Sequence, residues 1–273
     1  MRKSILGSLQ AIFLAVTAFT FSSCGGGNNL ENLDTDVNMI SERIAPVVKE
    51  SPEAAGDFSM KLTEQAVTFD ASVAPDLFDL KMLDPNLAEF AIASYLHVLN
   101  PDGNRNAEVA DMINNMAKTE RPLAITLTQG DYKFNQQLEP ARLKTLFKEA
   151  LTNLNRSGAA ANAAKLTGSW AEKVFKTEGA SEFECIYSTN QIIINVTYPD
   201  VNASPLKGVT NTTPALKGML IDAAEAHYAK YGALRPAVTA LMIDLGVKEL
   251  RLTYKYADGK AAPSVRLEWG KDL

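Results

Sequence analysis

The sequence predicts an α+β fold written twice: two divergent copies of a helix, β-hairpin, helix, helix, β-hairpin unit, with antiparallel sheets covered by helices and a pseudo-twofold between the copies. Three alignments carry this. Residues 57–73, DFSMKLTEQAVTFDASV, match residues 182–198, EFECIYSTNQIIINVTY, without a gap at a spacing of 125. Asp84-Pro85-Asn86-Leu87 matches Thr213-Pro214-Ala215-Leu216 at a spacing of 129. LAITLTQGDYKFNQQLE from Leu123 matches LRLTYKYADGKAAPSVRLE from Leu250, with Gly-Asp or Asp-Gly at the turn.

Taken in order, a leading helix over residues 36–49 pairs with one over residues 166–176. A hairpin follows, turning at Thr63-Glu64-Gln65 in one copy and Ser188-Thr189-Asn190 in the other, since polar residues between alternating apolar runs favour a reversal. Asp84 and Thr213 each precede a proline. A capping oxygen followed by proline at the first helical position starts a helix. A second helix carries one apolar stripe, Val109, Met112, Ile113 and Met116 against Val238, Leu241, Met242 and Leu245. The closing hairpin completes four strands and three helices per copy. Repeat 1 then covers residues 36–140 and repeat 2 residues 166–273, joined over residues 141–165 by an extra helix and the Ala-rich GAAANAAK. Whether the copies share one sheet is open from sequence.

The N-terminus carries an address. Arg2 and Lys3 precede the apolar run from Ile5 to Phe21, and no further charge occurs before Glu31. That is the layout of a secretory signal, and the run falls short of the roughly 20 residues that a spanning helix needs. Phe21-Ser22-Ser23-Cys24 resembles the lipobox of bacterial lipoprotein precursors: bulky apolar, two small residues, cysteine. The resemblance implies removal of residues 1–23 and acylation of Cys24. It also implies a cell-envelope location, with Gly25 in place of Asp favouring the outer membrane. Residues 24–35 then read as a flexible Gly/Asn tether, and a Gly-rich coil of about 10 residues spans roughly 17–19 Å.

Charge excludes some partners. The formal net charge is −5 and becomes −7 without Arg2 and Lys3, so a nucleic-acid footprint is not expected and an anionic surface repels the domain. With Cys24 acylated, Cys185 is left without a disulfide partner. Its setting EFECIYS alternates, placing Phe183, Cys185 and Tyr187 on one strand face, where a thiol is a small buried hydrophobe.

Chemical signatures are sparse. The only histidines, His97 and His227, lie late in matching helices one position out of step, about 100° apart around a helix, which disfavours a paired metal site. Asp102, Asn104, Asn106 and Glu108 imitate a calcium loop, but the glycine is misplaced and Ile113 stands where a bidentate Glu is needed. No His-Glu-x-x-His, Gly-x-Ser-x-Gly or Cys-x-x-Cys occurs, and Ser169 in LTGSW reads as a helix cap. Asp70, Asp76, Asp79 and Asp84 form an acidic stretch whose counterpart in the second copy, VNASPLKGVTNT, is nearly uncharged. No catalytic residue, cofactor or metal is therefore expected, and Cys24 is the one site residue.

The expectation is a lipid-anchored, non-enzymatic binding or assembly module, whose small-ligand or protein partner occupies a cleft between the copies. One alternative is an envelope glycan hydrolase using paired carboxylates such as Asp76 and Asp84, about 5 to 9.5 Å apart. The other is a structural subunit of an outer-membrane complex.

Overall fold

Asn28 starts the described chain by capping a helix. Its Oδ1 accepts from the N–H groups of Leu30 at 2.9 Å and Glu31 at 3.2 Å, while the Glu31 carboxylate accepts from the Asn28 N–H at 3.3 Å. This reciprocal pair is a capping box, with Asn in the place more often held by Ser or Thr. The computed structural model describes residues 28–273 apart from 51–54, 74, 76–78, 99–106, 149 and 231–234. These divide into two compact units, one ending at Arg156 and one running from Ser157 to Leu273.

The first unit consists of α1 (Asn29–Glu50), β1 (Ala55–Leu62), β2 (Val67–Val73), α2 (Pro85–Val98), α3 (Ala107–Lys118), β3 (Leu123–Gln129), β4 (Tyr132–Leu138) and α4 (Pro140–Lys148). The second repeats the order as α5 (Arg156–Thr177), β5 (Glu182–Ser188), β6 (Gln191–Tyr198), α6 (Thr212–Lys230), α7 (Arg235–Asp244), β7 (Glu249–Tyr256) and β8 (Ser264–Glu268). The fold is α+β, as expected, with seven described helices and two separate four-stranded sheets of order β1-β2-β3-β4 and β5-β6-β7-β8.

The duplication holds at the level of strand register. Phe58 pairs with Ala71 and Phe183 with Val196; Met60 pairs with Phe69 and Cys185 with Ile194. The closing hairpins agree as well, Leu123 with Leu138 and Leu250 with Leu267. Register matters because a slip of one residue would turn every side chain to the other face. The β5–β6 turn is two residues, Thr189 and Asn190, with φ of 47° and 66°, the left-handed pair that a tight hairpin requires.

The sheets are mixed, which corrects the antiparallel expectation. Each hairpin is antiparallel, but β2 runs parallel to β3 and β6 to β7, with Val67 opposite Leu123 and Ile192 opposite Leu250. A parallel pair needs a long crossover, and the two intervening helices supply it. One sheet face is apolar: Val67, Phe69, Ala71 and Val73 in β2, and Ile192, Ile194, Val196 and Tyr198 in β6, are all buried. The helices cover that face, while Thr68, Asp70 and Ser72 line the opposite, half-exposed one.

Two boundaries differ from the sequence reading. Helix α1 begins at Asn29 rather than residue 36, so most of the proposed tether of residues 24–35 is helical; the capping box offsets the low helix propensity of asparagine. Helix α5 begins at Arg156 and runs through GAAANAAK, so the supposed joint is the first half of the second leading helix. Alanine is the best helix former, and here Ala159, Ala160, Ala163 and Ala164 are also at most 1% exposed. Small residues let α5 lie close to its sheet: a Cβ on Gly168 would stand 2.8 Å from the Cβ of Cys185.

Candidate functional site

A groove in the first unit gathers polar side chains from three helices. Its volume is about 520 Å³, and its polar lining is Asn32 from the first turns of α1, Asp111, Asn114, Asn115 and Lys118 from α3, and Lys144 from α4. The helix stripe explains this placement. Met112, Ile113 and Met116 turn into the core, so the positions 111, 114, 115 and 118 form a neighbouring stripe at spacings of three and four. Asp111 and Lys118 lie seven residues apart, a rise of about 10 Å. Lys118 stands in the last turn of α3, where a cation is favoured by the helix dipole.

Asn115 ties the groove to the core. It is 8% exposed and donates from Nδ2 to the Oδ2 of Asp36 at 3.2 Å, and Asp36 is itself 3% exposed. On the far side, Arg142 of α4 is ion-paired with Glu89 of α2, which fixes the helix that carries Lys144.

The second copy serves as an internal comparison. The spacing of 129 places Ala240, Ile243, Asp244 and Val247 where α3 and its end have Asp111, Asn114, Asn115 and Lys118. For the leading helices, burial fixes a spacing of 126: Leu33, Val37 and Ile40 match Ala159, Ala163 and Leu166, all buried. Asn32 then matches Gly158, and the buried Asp36 matches the buried Asn162. Four lining positions that are polar in the first unit are small or apolar in the second. Lys144 has no counterpart, because no described helix follows β8.

A second cluster lies at the end of the β6–β7 pair. The rings of Tyr198 and Tyr254 have centroids 5.2 Å apart, and Phe175 meets Tyr254 edge-on at 6.2 Å. Burial raises both phenols above the usual tyrosine range, with the Glu178 carboxylate adding to the effect. Burial likewise raises Glu178. Among the described residues the Tyr256 hydroxyl has no hydrogen-bond partner. Phenols held protonated in an aromatic cluster are poor bases, so this cluster belongs to packing.

The first unit also encloses an apolar cavity of about 50 Å³ between sheet and helices, lined by residues such as Met60, Phe69, Ala88, Met112 and Phe134. It has the chemistry of a packing void.

The residues singled out from sequence are dispersed. Cys24 and Asp76 lie outside the described residues, as do Asp102, Asn104 and Asn106. His97 and His227 fall within α2 and α6, and Glu108 within α3, their side chains outside what is described. Asp79 accepts from the Lys81 N–H at 3.1 Å and Asp84 from the Leu87 N–H at 2.8 Å, so both serve as helix caps. Asp70 is exposed on the outer face of β2. Ser169 sits inside α5 rather than at a helix start, its Oγ donating to the Leu166 carbonyl at 2.9 Å. The Cys185 thiol bonds the Ala164 carbonyl at 3.3 Å, and burial, with Glu184 adding, pushes it up to about 12. It is inert as a nucleophile.

Among the described residues no group of three or more His, Cys, Asp or Glu side chains is placed to hold a metal ion. No described helix is long and apolar enough to cross a membrane. No protein-family model matches the chain, and searches of curated proteins and of solved structures return no match. The groove went unnoticed in the sequence because the signal there, DMINN followed by MAK, is a polar stripe beside an apolar one. Such stripes are ordinarily solvated helix faces; only α1 and α4 standing on either side make this one concave.

Proposed function

We propose that the protein is a lipid-anchored lipoprotein of the bacterial cell envelope, in the outer membrane, acting as a non-enzymatic binding module whose ligand site is the groove of the first unit. The observation that carries the binding part is the contrast between copies: the scaffold is retained twice, but the polar lining occurs once. A polar lining needed only for solubility would have no reason to be confined to one copy. The proposed site lies within the first unit, in place of the cleft between copies that the sequence had suggested.

The anchor fits this site. Only Gly25, Gly26 and Gly27 separate Cys24 from the capping Asn28, a reach of about 13–14 Å at full extension. From Asn28 to the groove residue Asn32 the helix rises about 6 Å. Acylation of Cys24 would thus hold the groove within about 20 Å of the lipid surface. More than one acyl chain on that residue would make the attachment stable.

Two measurements test the two parts. Cys24→Ser is expected to move the protein from the membrane fraction to the soluble one; retention in membranes overturns the anchor. For the groove, full-length protein in detergent is screened by thermal shift against amino acids, short peptides, saccharides and nucleotides. At least one class is expected to stabilise the natural protein and not the Asn114→Ala/Lys118→Ala variant. A screen in which no compound separates the two overturns the binding reading.

A further inference from the structure

We propose that the groove takes a short peptide with free termini, about three residues long, its amino group at Asp111 and its carboxylate between Lys118 and Lys144. This inference rests on the groove being the ligand site. Its carrier is the order of charge along α3: carboxylate at one end, two carboxamides in the middle, ammonium at the other.

The dimensions agree. Asp111 and Lys118 are separated by a rise of about 10 Å, and an extended chain of three residues spans about 10 Å. Between them stands the half-exposed Asn114, with Asn115 behind it and engaged with Asp36. A carboxamide presents one acceptor and two donors, the complement of a peptide group, which offers one of each. Lys144, on a different helix, adds a second ammonium to the same lining. The full ammonium charge of Lys118 outweighs the partial negative charge at the C-terminus of α3.

The lining also disfavours other small polar ligands. No aromatic side chain stands among the described lining residues, so a base or a sugar ring would find no stacking platform. A multiply charged anion would have to sit beside Asp111 as well as the lysines. A zwitterion uses both signs.

Titration calorimetry on the full-length protein in detergent decides the matter, with trialanine, N-acetyl-trialanine and trialanine amide as probes. Trialanine is expected to bind saturably, and blocking either terminus to weaken binding at least tenfold. Asp111→Asn is expected to abolish the discrimination against the acetylated peptide while keeping that against the amide. Lys118→Gln/Lys144→Gln is expected to do the reverse. All these positions other than Asn115 are exposed or half-exposed, and unchanged unfolding transitions will establish that each variant is folded. Equal binding of free and blocked peptides overturns the proposal. Absence of trialanine binding overturns it too. If another class in the thermal-shift screen still separates natural protein from the groove variant, the binding module stands and only the peptide assignment falls; if none does, both fall.

Discussion

Asn115 holds the buried Asp36 by a 3.2 Å hydrogen bond, and the second unit carries the same two side-chain types in exchanged order, Asn162 on the leading helix and Asp244 at the end of α7. The polar positions persist in both copies, with carboxylate and carboxamide exchanged between the two helices. A buried carboxylate that loses a hydrogen-bond donor is destabilised, so Asn115 contributes to holding Asp36 in the core.

Asn115→Ala is therefore expected to destabilise the first unit by about 1–3 kcal/mol. The exchange Asp36→Asn/Asn115→Asp is expected to recover most of that loss. Urea unfolding of the two variants and the natural protein checks this; an exchange no better than the single variant would show that the pair is not interchangeable.

Two glycine-to-alanine changes are expected to have opposite signs. At Gly168 the new methyl meets the Cβ of Cys185 at 2.8 Å, and such overpacking costs about 1–3 kcal/mol. At Gly218 in α6 a Cβ meets nothing within 4 Å, so alanine adds about 0.5–1 kcal/mol through helix propensity. Shifts of unfolding midpoint in the same direction would contradict the close approach of α5 to β5.

Filling the cavity of about 50 Å³ behind β2 is expected to stabilise the first unit. Val67→Ile adds one methylene toward it, a gain of about 0.8 kcal/mol if the methyl enters the void without strain. A loss of stability would mean that the void is too narrow for the added group.

Glu178 sets a pH dependence. Burial raises its folded-state pKa, so its favourable contribution is full below the ordinary glutamate range and is lost as pH rises through the raised value. Glu178→Gln is expected to raise the melting temperature at neutral pH and to change it little at about pH 3, below the unfolded glutamate value. An equal effect at both pH values would assign the change to packing rather than ionisation.

The architecture was largely legible because strand and helix periodicities are local. Hairpins at residues 57–73 and 182–198 pair in matching registers, and Asp84 caps α2 as its place before Pro85 predicts. Ends were less legible. GAAANAAK looked like a joint, since alanine carries no amphipathic pattern; its helicity follows from packing against β5, where small side chains are an advantage. The acidic stretch Asp70–Asp84 drew attention as chemistry, yet Asp79 and Asp84 are caps, and one carboxylate type serves both purposes.

By itself, the sequence determined the order of elements in each copy and the leader that resembles a lipobox, because each is written in neighbouring residues. Tertiary structure alone decided that the hairpins join through the parallel pairs β2–β3 and β6–β7. It also decided that Asp36 and Asn115, 79 positions apart, share one buried hydrogen bond. The groove belongs to this second kind. Asn32, the α3 stripe and Lys144 are unremarkable polar positions along the chain, and only the packing of three helices makes a concave surface of them.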